Sequence, residues 1–452
     1  MTNSQPTIIT RQEEIPFPGG RVRFLNGADT VQATMTLVEI DGLTMLVDCG
    51  ANPFQTPVEL PDEAFEADAI LLTHAHMDHV GGIPRLLTSG FFAPVFATDT
   101  TLAITRIALG ECIRQNGGEH RDVRAFSGGL DHIARSVGFD SPFKPFSKRD
   151  IEITFHPAGH ILGAASIEIK TEQARLLFSG DIGPATLPVA GAPNDTWKND
   201  QPFDLVVMES TRGDVQADQS RMEIEAALAD MIRTAQAQNG HIVVPASIIG
   251  RTQELIHYLN NITERDDTLQ IPVALDTAMG LRIANDTPPL AAFVDESGLA
   301  KLSRADDPLN IDGLYTVRKT KDPKKLRELD KTTLIVTGFG SCDSGRIVSQ
   351  LIELLPYPEN TVLFIGYQAP GSVGRQIISM SDGQQEDVAP TIQLNDEDIP
   401  VRASIRTLPG LYAHATQPGL VNWVNQLPNI KQIALHHGTA AAQDALAKAL
   451  SP

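Results

Sequence analysis

One stretch, LLTHAHMDHVGG at positions 71 to 82, limits what this chain can be more than any other part of it. An apolar run from Ala69 to Leu72 reads as a buried strand. Val80, Ile83, Leu86 and Leu87 follow with the spacing of a helix's buried face. Between them His74, His76, Asp78 and His79 fall in a single turn. Two imidazoles separated by one residue on a loop can close on one zinc ion, while the Asp and His after them, turned by the start of the helix, face a second ion beside it. A hydrated loop that happened to be rich in histidine would also carry these letters. It would have no need of a strand before it and a helix after it, and that context makes H-x-H-x-D-H a metal motif.

Further ligand-type residues sit at the ends of other strands. Residues 1 to 20 look frayed; Val31 to Ile40, the Asp41-Gly42 turn and Leu43 to Val47 then predict a hairpin that ends at Asp48. By itself that Asp would start a turn. Beside the histidine cluster it is placed to accept the second ring N–H of a metal-bound imidazole. A strand near Val95, a helix from about Asp99 to Gln115 and a helical stretch from Gly129 to Val137 come next, with His120 and His132 as ordinary surface or packing residues. The strand Ile151 to Phe155 leads into HPAGHILGAAS and His160, and strands 166–170 and 174–178 deliver SGDIG with Asp181. A His and an Asp at strand ends supply a third ligand for one ion and a carboxylate able to bridge both.

The strand from Asp204 to Met208 ends in Glu209, and then the pattern changes. Between about residues 220 and 380 an apolar strand is followed by a helix four times: 241–245 then 252–260, 272–275 then 278–285, 333–337 then 346–355, and 361–366 then 373–380. This alternation predicts a second domain with a parallel sheet. Its strands exit into small or polar turns, so helix N-termini gather at one edge and favour phosphate. Ser247, Arg251, Ser341, Ser344, Ser372 and Arg375 are the candidate phosphate contacts there. GFGSCDSG lacks the glycine spacing and the acidic residue of a dinucleotide fingerprint. Residues 286 to 331 read as a solvated connection, with Lys321, Lys324 and Lys325 a weaker candidate for holding a nucleic-acid strand. The chain closes with His414 ahead of a helix carrying Trp423, with His436 and His437 at the end of the strand 433–435, and with an Ala-rich helix.

Composition narrows the class. A formal net charge of -20 argues against a protein that coats nucleic acid with its whole surface, but leaves room for a local basic groove. Met1 to Phe17 has no signal-peptide pattern and no apolar run approaches membrane-spanning length. Cys49, Cys112 and Cys342 are far apart and form no C-x-x-C pair, which suits buried thiols in a reducing compartment. The expectation is a cytoplasmic protein with no membrane partner.

Taken together, these stretches resemble the metallo-β-lactamase-fold nucleases of the β-CASP group, which include the cleavage-and-polyadenylation endonuclease and the bacterial ribonuclease J enzymes. The likeness covers nearly the whole chain and is to the short bacterial form. Asp48, then His74, His76, Asp78 and His79, then His160, then Asp181 match the first four motifs; Glu209 in MEST, His414 in YAHA and His437 in HHG match the three further ones. PASIIGRTQEL and FIGYQAPGSVGRQI resemble signature stretches of the insert. Thr416 and Thr439 stand where the family commonly has Asp and Glu.

The resemblance implies an α/β chain with a four-layer αβ/βα core made from residues 1–210 and 401–452. A parallel-sheet β-CASP domain is inserted at 211–400, and the active site lies in the cleft between domains. It implies two zinc ions, one held by His74, His76, His160 and Asp181 and the other by Asp78, His79, His437 and the same Asp181. Asp78, Glu209 and His414 are then the catalytic candidates, with His414 resembling the family's acid. The substrate implied is RNA, single-stranded, since RNA-acting members carry a His at the position of His437. Cutting would be mainly internal and leave 5'-phosphate and 3'-hydroxyl ends, and a homodimer is compatible with the family. A 5'-to-3' exoribonuclease and a small-molecule hydrolase such as a thioesterase or lactonase are the alternatives.

Overall fold

The computed structural model describes residues 5–31, 33–51, 58–147, 149–185, 187–198, 201–217, 219–246, 249–276, 314–316, 331–338, 340–368, 371–381 and 389–451. Ser247, Lys321, Lys324, Lys325 and the expected helix at 278–285 lie outside them. Contacts divide the chain into two compact units: the described residues of 1–217 and 413–452 form one, and those of 218–412 the other.

The first unit begins with β1 (Thr7–Thr10), β2 (Glu14–Phe17) and β3 (Gly20–Asn26), so from Thr7 on the segment expected to be frayed is built into sheets. The hairpin is β4 (Met35–Ile40) and β5 (Leu43–Val47), with Asp41 and Gly42 both at positive φ as the tight turn between right-twisted strands requires. Then come β6 (Ala69–Leu71), α1 (Met77–Val80), α2 (Ile83–Thr88), β7 (Val95–Thr98), α3 (Asp99–Gln115) and α4 (His120–Ile133). The helical stretch expected at 129–137 is instead the end of α4 followed by β8 (Ala134–Val137), which pairs in parallel with β7. β9 (Glu152–Pro157), β10 (Ala165–Lys170), β11 (Arg175–Phe178) and β12 (Leu205–Glu209) follow.

The second unit holds α5 (Arg221–Gln238), β13 (Ile242–Pro245), α6 (Arg251–Arg265), β14 (Val273–Asp276), β15 (Leu314–Thr316) and β16 (Leu334–Thr337). It continues with α7 (Arg346–Leu354), β17 (Thr361–Phe364), α8 (Val373–Ser381), the hairpin β18 (Thr391–Leu394) and β19 (Glu397–Pro400), and β20 (Ser404–Thr407). The first unit resumes with α9 (Gln417–Asn425), β21 (Gln432–His436) and α10 (Ala440–Leu450).

Two sheets face each other in the first unit, ordered β2-β3-β4-β5-β6-β7-β8 and β1-β21-β12-β11-β10-β9. Alternate residues of both, among them Val22, Val38 and Met45 against Phe155, Ile167 and Val207, make one buried cluster between the sheets. On the outer side of the first sheet Ile83, Leu86, Leu109 and Leu130 bring α2, α3 and α4 against Leu37, Leu46 and Ile70. On the outer side of the second, Leu420, Trp423 and Leu446 bring α9 and α10 against Val206, Ile433 and Leu435. The result is four layers, helix, sheet, sheet, helix. In the second unit β15-β14-β16-β13-β17-β20 are all parallel, which sends the exits of β16, β13 and β17 to one edge. No helix among the described residues is long and apolar enough to cross a membrane.

Candidate metal centre

Strand direction decides where the ligand-type residues go. β11, β12 and β21 run parallel to one another, so Asp181, Glu209 and His437, each at or just past the end of its strand, leave the sheet at the same edge. β10 is antiparallel to β11 and starts at that edge, and the β9–β10 connection carrying His160 therefore turns there too. In the facing sheet β5 and β6 are parallel, which places Asp48 beside the loop of His74 and His76. A hydrogen bond from Ala165 N to the Thr73 carbonyl, 2.8 Å, ties the two edges together.

Two donor sets result. His74 Nε2 lies 3.1 Å from His76 Nδ1, and His160 Nε2 lies 3.0 Å from the same atom. Both Nε2 atoms are 3.4 Å from Asp181 Oδ2. A tetrahedron with bonds of about 2.0–2.1 Å has edges of about 3.3 Å, so these four atoms suit the corners around one zinc-sized ion. In the second set His437 Nε2 is 3.4 Å from Asp78 Oδ2 and His79 Nε2 is 3.5 Å from Asp181 Oδ1. His437 also turns its Nδ1 to Asp181 Oδ1 at 3.3 Å. Asp181 thus puts one oxygen toward each set. His79 Nε2 and Asp181 Oδ1 are buried and have no hydrogen-bond partner, an arrangement that costs a few kcal/mol unless a cation lies between them. The donor chemistry fits two divalent ions.

Outer contacts aim the rings. His79 Nδ1 donates to Asp48 Oδ2 at 2.7 Å and His160 Nδ1 to the Ala413 carbonyl at 2.8 Å, which turns each Nε2 inward. Asp48 and His437 adopt left-handed backbone angles, φ 63° and 49°, a conformation that Asp and His take more readily than most side chains. Gly180, at φ 56°, precedes Asp181 where a Cβ would lie 2.8 Å from the Thr73 Cβ. No larger residue fits there.

Burial and the neighbouring carboxylates act on the four imidazoles in opposite directions. Burial pushes His74 and His160 well below the usual imidazole range. Burial acts the same way on His79 and His437, but the carboxylate of Asp181, helped by Asp48 for the first and Asp78 for the second, holds both above it. Burial would raise Asp181, yet the surrounding imidazoles, His437 foremost, keep it well below the ordinary carboxylate range.

Beside these sets His414 Nδ1 lies 3.1 Å from both carboxylate oxygens of Glu209, and its Nε2 is 3.9 Å from Asp181 Oδ2. Glu209 is fixed in turn by Ile182 N at 2.6 Å and Thr211 N at 3.2 Å. Thr439 caps α10 through Ala442 N, while Thr416 precedes α9 without a side-chain cap bond. Arg251, Ser341, Ser344, Ser372 and Arg375 sit in the second unit, on or after the loops that leave β13, β16 and β17; Arg375 and Ser344 are exposed, and Ser372 caps α8 by accepting from Arg375 N at 3.2 Å. Sequence reading passed over three contributors. Thr73 bonds Asp48, Arg212 donates to the His414 carbonyl, and Gln443 ties Ala28 to Gly438. Thr73 stands inside the first motif stretch and Arg212 directly after MEST, whereas nothing local marks Gln443.

Comparison with known proteins gives a consistent picture. Residues 28–208 match the metallo-beta-lactamase superfamily, 252–377 the Beta-Casp domain, and 398–451 the Zn-dependent metallo-hydrolase RNA specificity domain. The chain is 29% identical over 441 residues to ribonuclease TTHA0252 of Thermus thermophilus, covering 95% of this chain and 96% of that one. It is 26% identical to the transcription termination factor FttA of Methanocaldococcus jannaschii, over 92% of this chain and 67% of the longer relative. An RNase J-like protein of the same organism is 24% identical, with 92% of each chain covered. A solved structure of a protein of unknown function from Enterococcus faecalis shares the fold at TM-score 0.53 and 14% identity, over 94% of this chain and 95% of that one.

Proposed function

Because the chain belongs to the β-CASP group of the metallo-β-lactamase superfamily and is a metal-dependent hydrolase of that type, we propose that it is a two-zinc ribonuclease. In this reading it cuts single-stranded RNA, mainly at internal bonds, and leaves 5'-phosphate and 3'-hydroxyl ends. The observation that carries it is the pair of donor sets where the two sheet edges meet, with Asp181 in the first and its Oδ1 3.5 and 3.3 Å from His79 and His437 of the second, and the His414–Glu209 pair beside them.

His74, His76, His160 and Asp181 would hold one zinc ion, and Asp78, His79, His437 and Asp181 the other. When bound, the ions supply a water ionised near neutral pH and positive charge against the phosphate under attack. The protein's own groups do the rest. Asp48 and the Ala413 carbonyl keep the imidazoles in register, while Glu209 holds the proton on His414 Nδ1 and so supports the charged ring. His414 Nε2, on the Asp181 side, gives a proton to the departing ribose oxygen. Arg251, Arg375 and the serines at 247, 341, 344 and 372 would contact the RNA backbone. Cys49, Cys112 and Cys342 are buried and form no disulfide, which accords with a reducing, cytoplasmic setting, and a homodimer is the assembly we would look for.

Zinc-loaded protein should cut end-labelled RNA whether or not its 5' end is blocked, and should open a circular RNA of the same sequence. Degradation of the linear strand with no cutting of the circle would assign a 5'-to-3' exonuclease instead. Cleavage of a thioester or lactone without any cleavage of RNA would point to a small-molecule hydrolase.

A further inference from the structure

Asp48 reaches both donor sets, and it reaches them by different routes. To His79 the route is direct, 2.7 Å from Nδ1 to Oδ2. To His74 it runs through Thr73. The Thr73 hydroxyl is 2.8 Å from Asp48 Oδ2 and 3.0 Å from His74 Nδ1. An ionised carboxylate can only accept, so the hydroxyl spends its one proton on Asp48 and must accept from His74. That places a proton on His74 Nδ1 and frees Nε2, the nitrogen facing His76 and Asp181. The same hydroxyl is 3.4 Å from His79 Nδ1, too long to compete with the 2.7 Å bond that His79 makes to Asp48.

The position is built. Thr73, Asp48, His74 and His79 are all buried, with no exposure above 1%. Thr73 N donates to Asp48 Oδ1 at 2.8 Å, its carbonyl takes the Ala165 N–H, and Gly180 leaves the space that its methyl group occupies. The hydroxyl therefore has no rotamer to choose.

We propose that Thr73 is a positioning residue that fixes the tautomer of His74, so that one buried carboxylate aims a ligand of each metal set, one directly and one through a hydroxyl. This rests on the two-metal reading above. It also gives the sets unequal dependence on Thr73. Thr73→Val keeps the shape and removes only the relay, Thr73→Ser keeps the relay, and Asp48→Asn disturbs both routes.

The test is titration of metal-free protein with zinc by calorimetry, with 15N-labelled histidine rings reporting each set: His160 for the first, His437 for the second. Thr73→Val should weaken filling of the His160 set by about 10- to 100-fold, the range for loss of an outer hydrogen-bond partner, and leave the His437 set near wild type. Thr73→Ser should restore the first set, and Asp48→Asn should weaken both. Equal loss at both sets in Thr73→Val, or none at either, overturns the proposal while leaving the metal reading intact. A wild-type protein that binds no zinc overturns both together. Should Thr73→Val fail to fold, the ring spectrum of zinc-loaded wild-type protein decides: a proton on His74 Nδ1 upholds the relay, and a proton on Nε2 ends it.

Discussion

The two units use the same device, parallel strands that end at a common edge, and load that edge differently. In the first unit β11, β12 and β21 deliver Asp181, Glu209 and His437, all buried and each within 4 Å of an oppositely charged or imidazole group. In the second, β13, β16 and β17 deliver loops with exposed Arg375 and Ser344, and helix starts carrying backbone N–H groups. Buried, cross-bonded side chains make a fixed constellation suited to bond making. An exposed arginine and helix N-termini suit a flexible polyanion, whose phosphates are attracted without being locked. On the function proposed above, the difference teaches that one fold principle serves chemistry where the edge is enclosed and grip where it is open.

Mutation should separate the two edges in size and kind of effect. His76→Ala removes an atom within about 3 Å of two other donors, and is expected to lose metal and RNA cleavage together, seen by metal analysis and gel assay. His414→Ala should keep both ions and bind RNA nearly as well, while the cleavage rate falls about a hundredfold or more. A substrate with a sulfur leaving atom needs little protonation and should recover much of that rate. Glu209→Gln should lose less in the same direction, since the carboxylate only orients and charges the ring. At the other edge Arg375→Ala should leave the maximal rate unchanged and weaken RNA binding, with a salt-dependence slope lower by about one. Loss of metal in His414→Ala would make that residue structural, and a fall in maximal rate for Arg375→Ala would erase the distinction between the edges.

How legible was this in the sequence? The β4–β5 hairpin, α3 and four of the six strands in the second unit's parallel sheet announce themselves, because turn residues and apolar runs are local signals. The ligand-type residues were readable for a related reason: chemistry demands specific letters at strand ends. What stayed hidden depends on distant partners. β1 is only TIIT and exists because β21 pairs with it, Thr7 beside Gln432. β8 continues the apolar pattern of α4 but is claimed by β7. α5 was passed over although Ser220 and Glu223 form a capping box at its start, a signal that sequence does carry. Thr73 gains its meaning from Asp48 and His74, which a linear reading does not bring together.

The central claim is that two metal ions seated on seven buried or half-buried side chains do the cutting. Its most direct test is to strip the protein with a chelator, assay it on end-labelled RNA, and add zinc back in counted equivalents. Cleavage should be absent from the stripped protein and return in full only as the second equivalent per chain is bound. Undiminished cleavage by protein shown to contain no metal would contradict it.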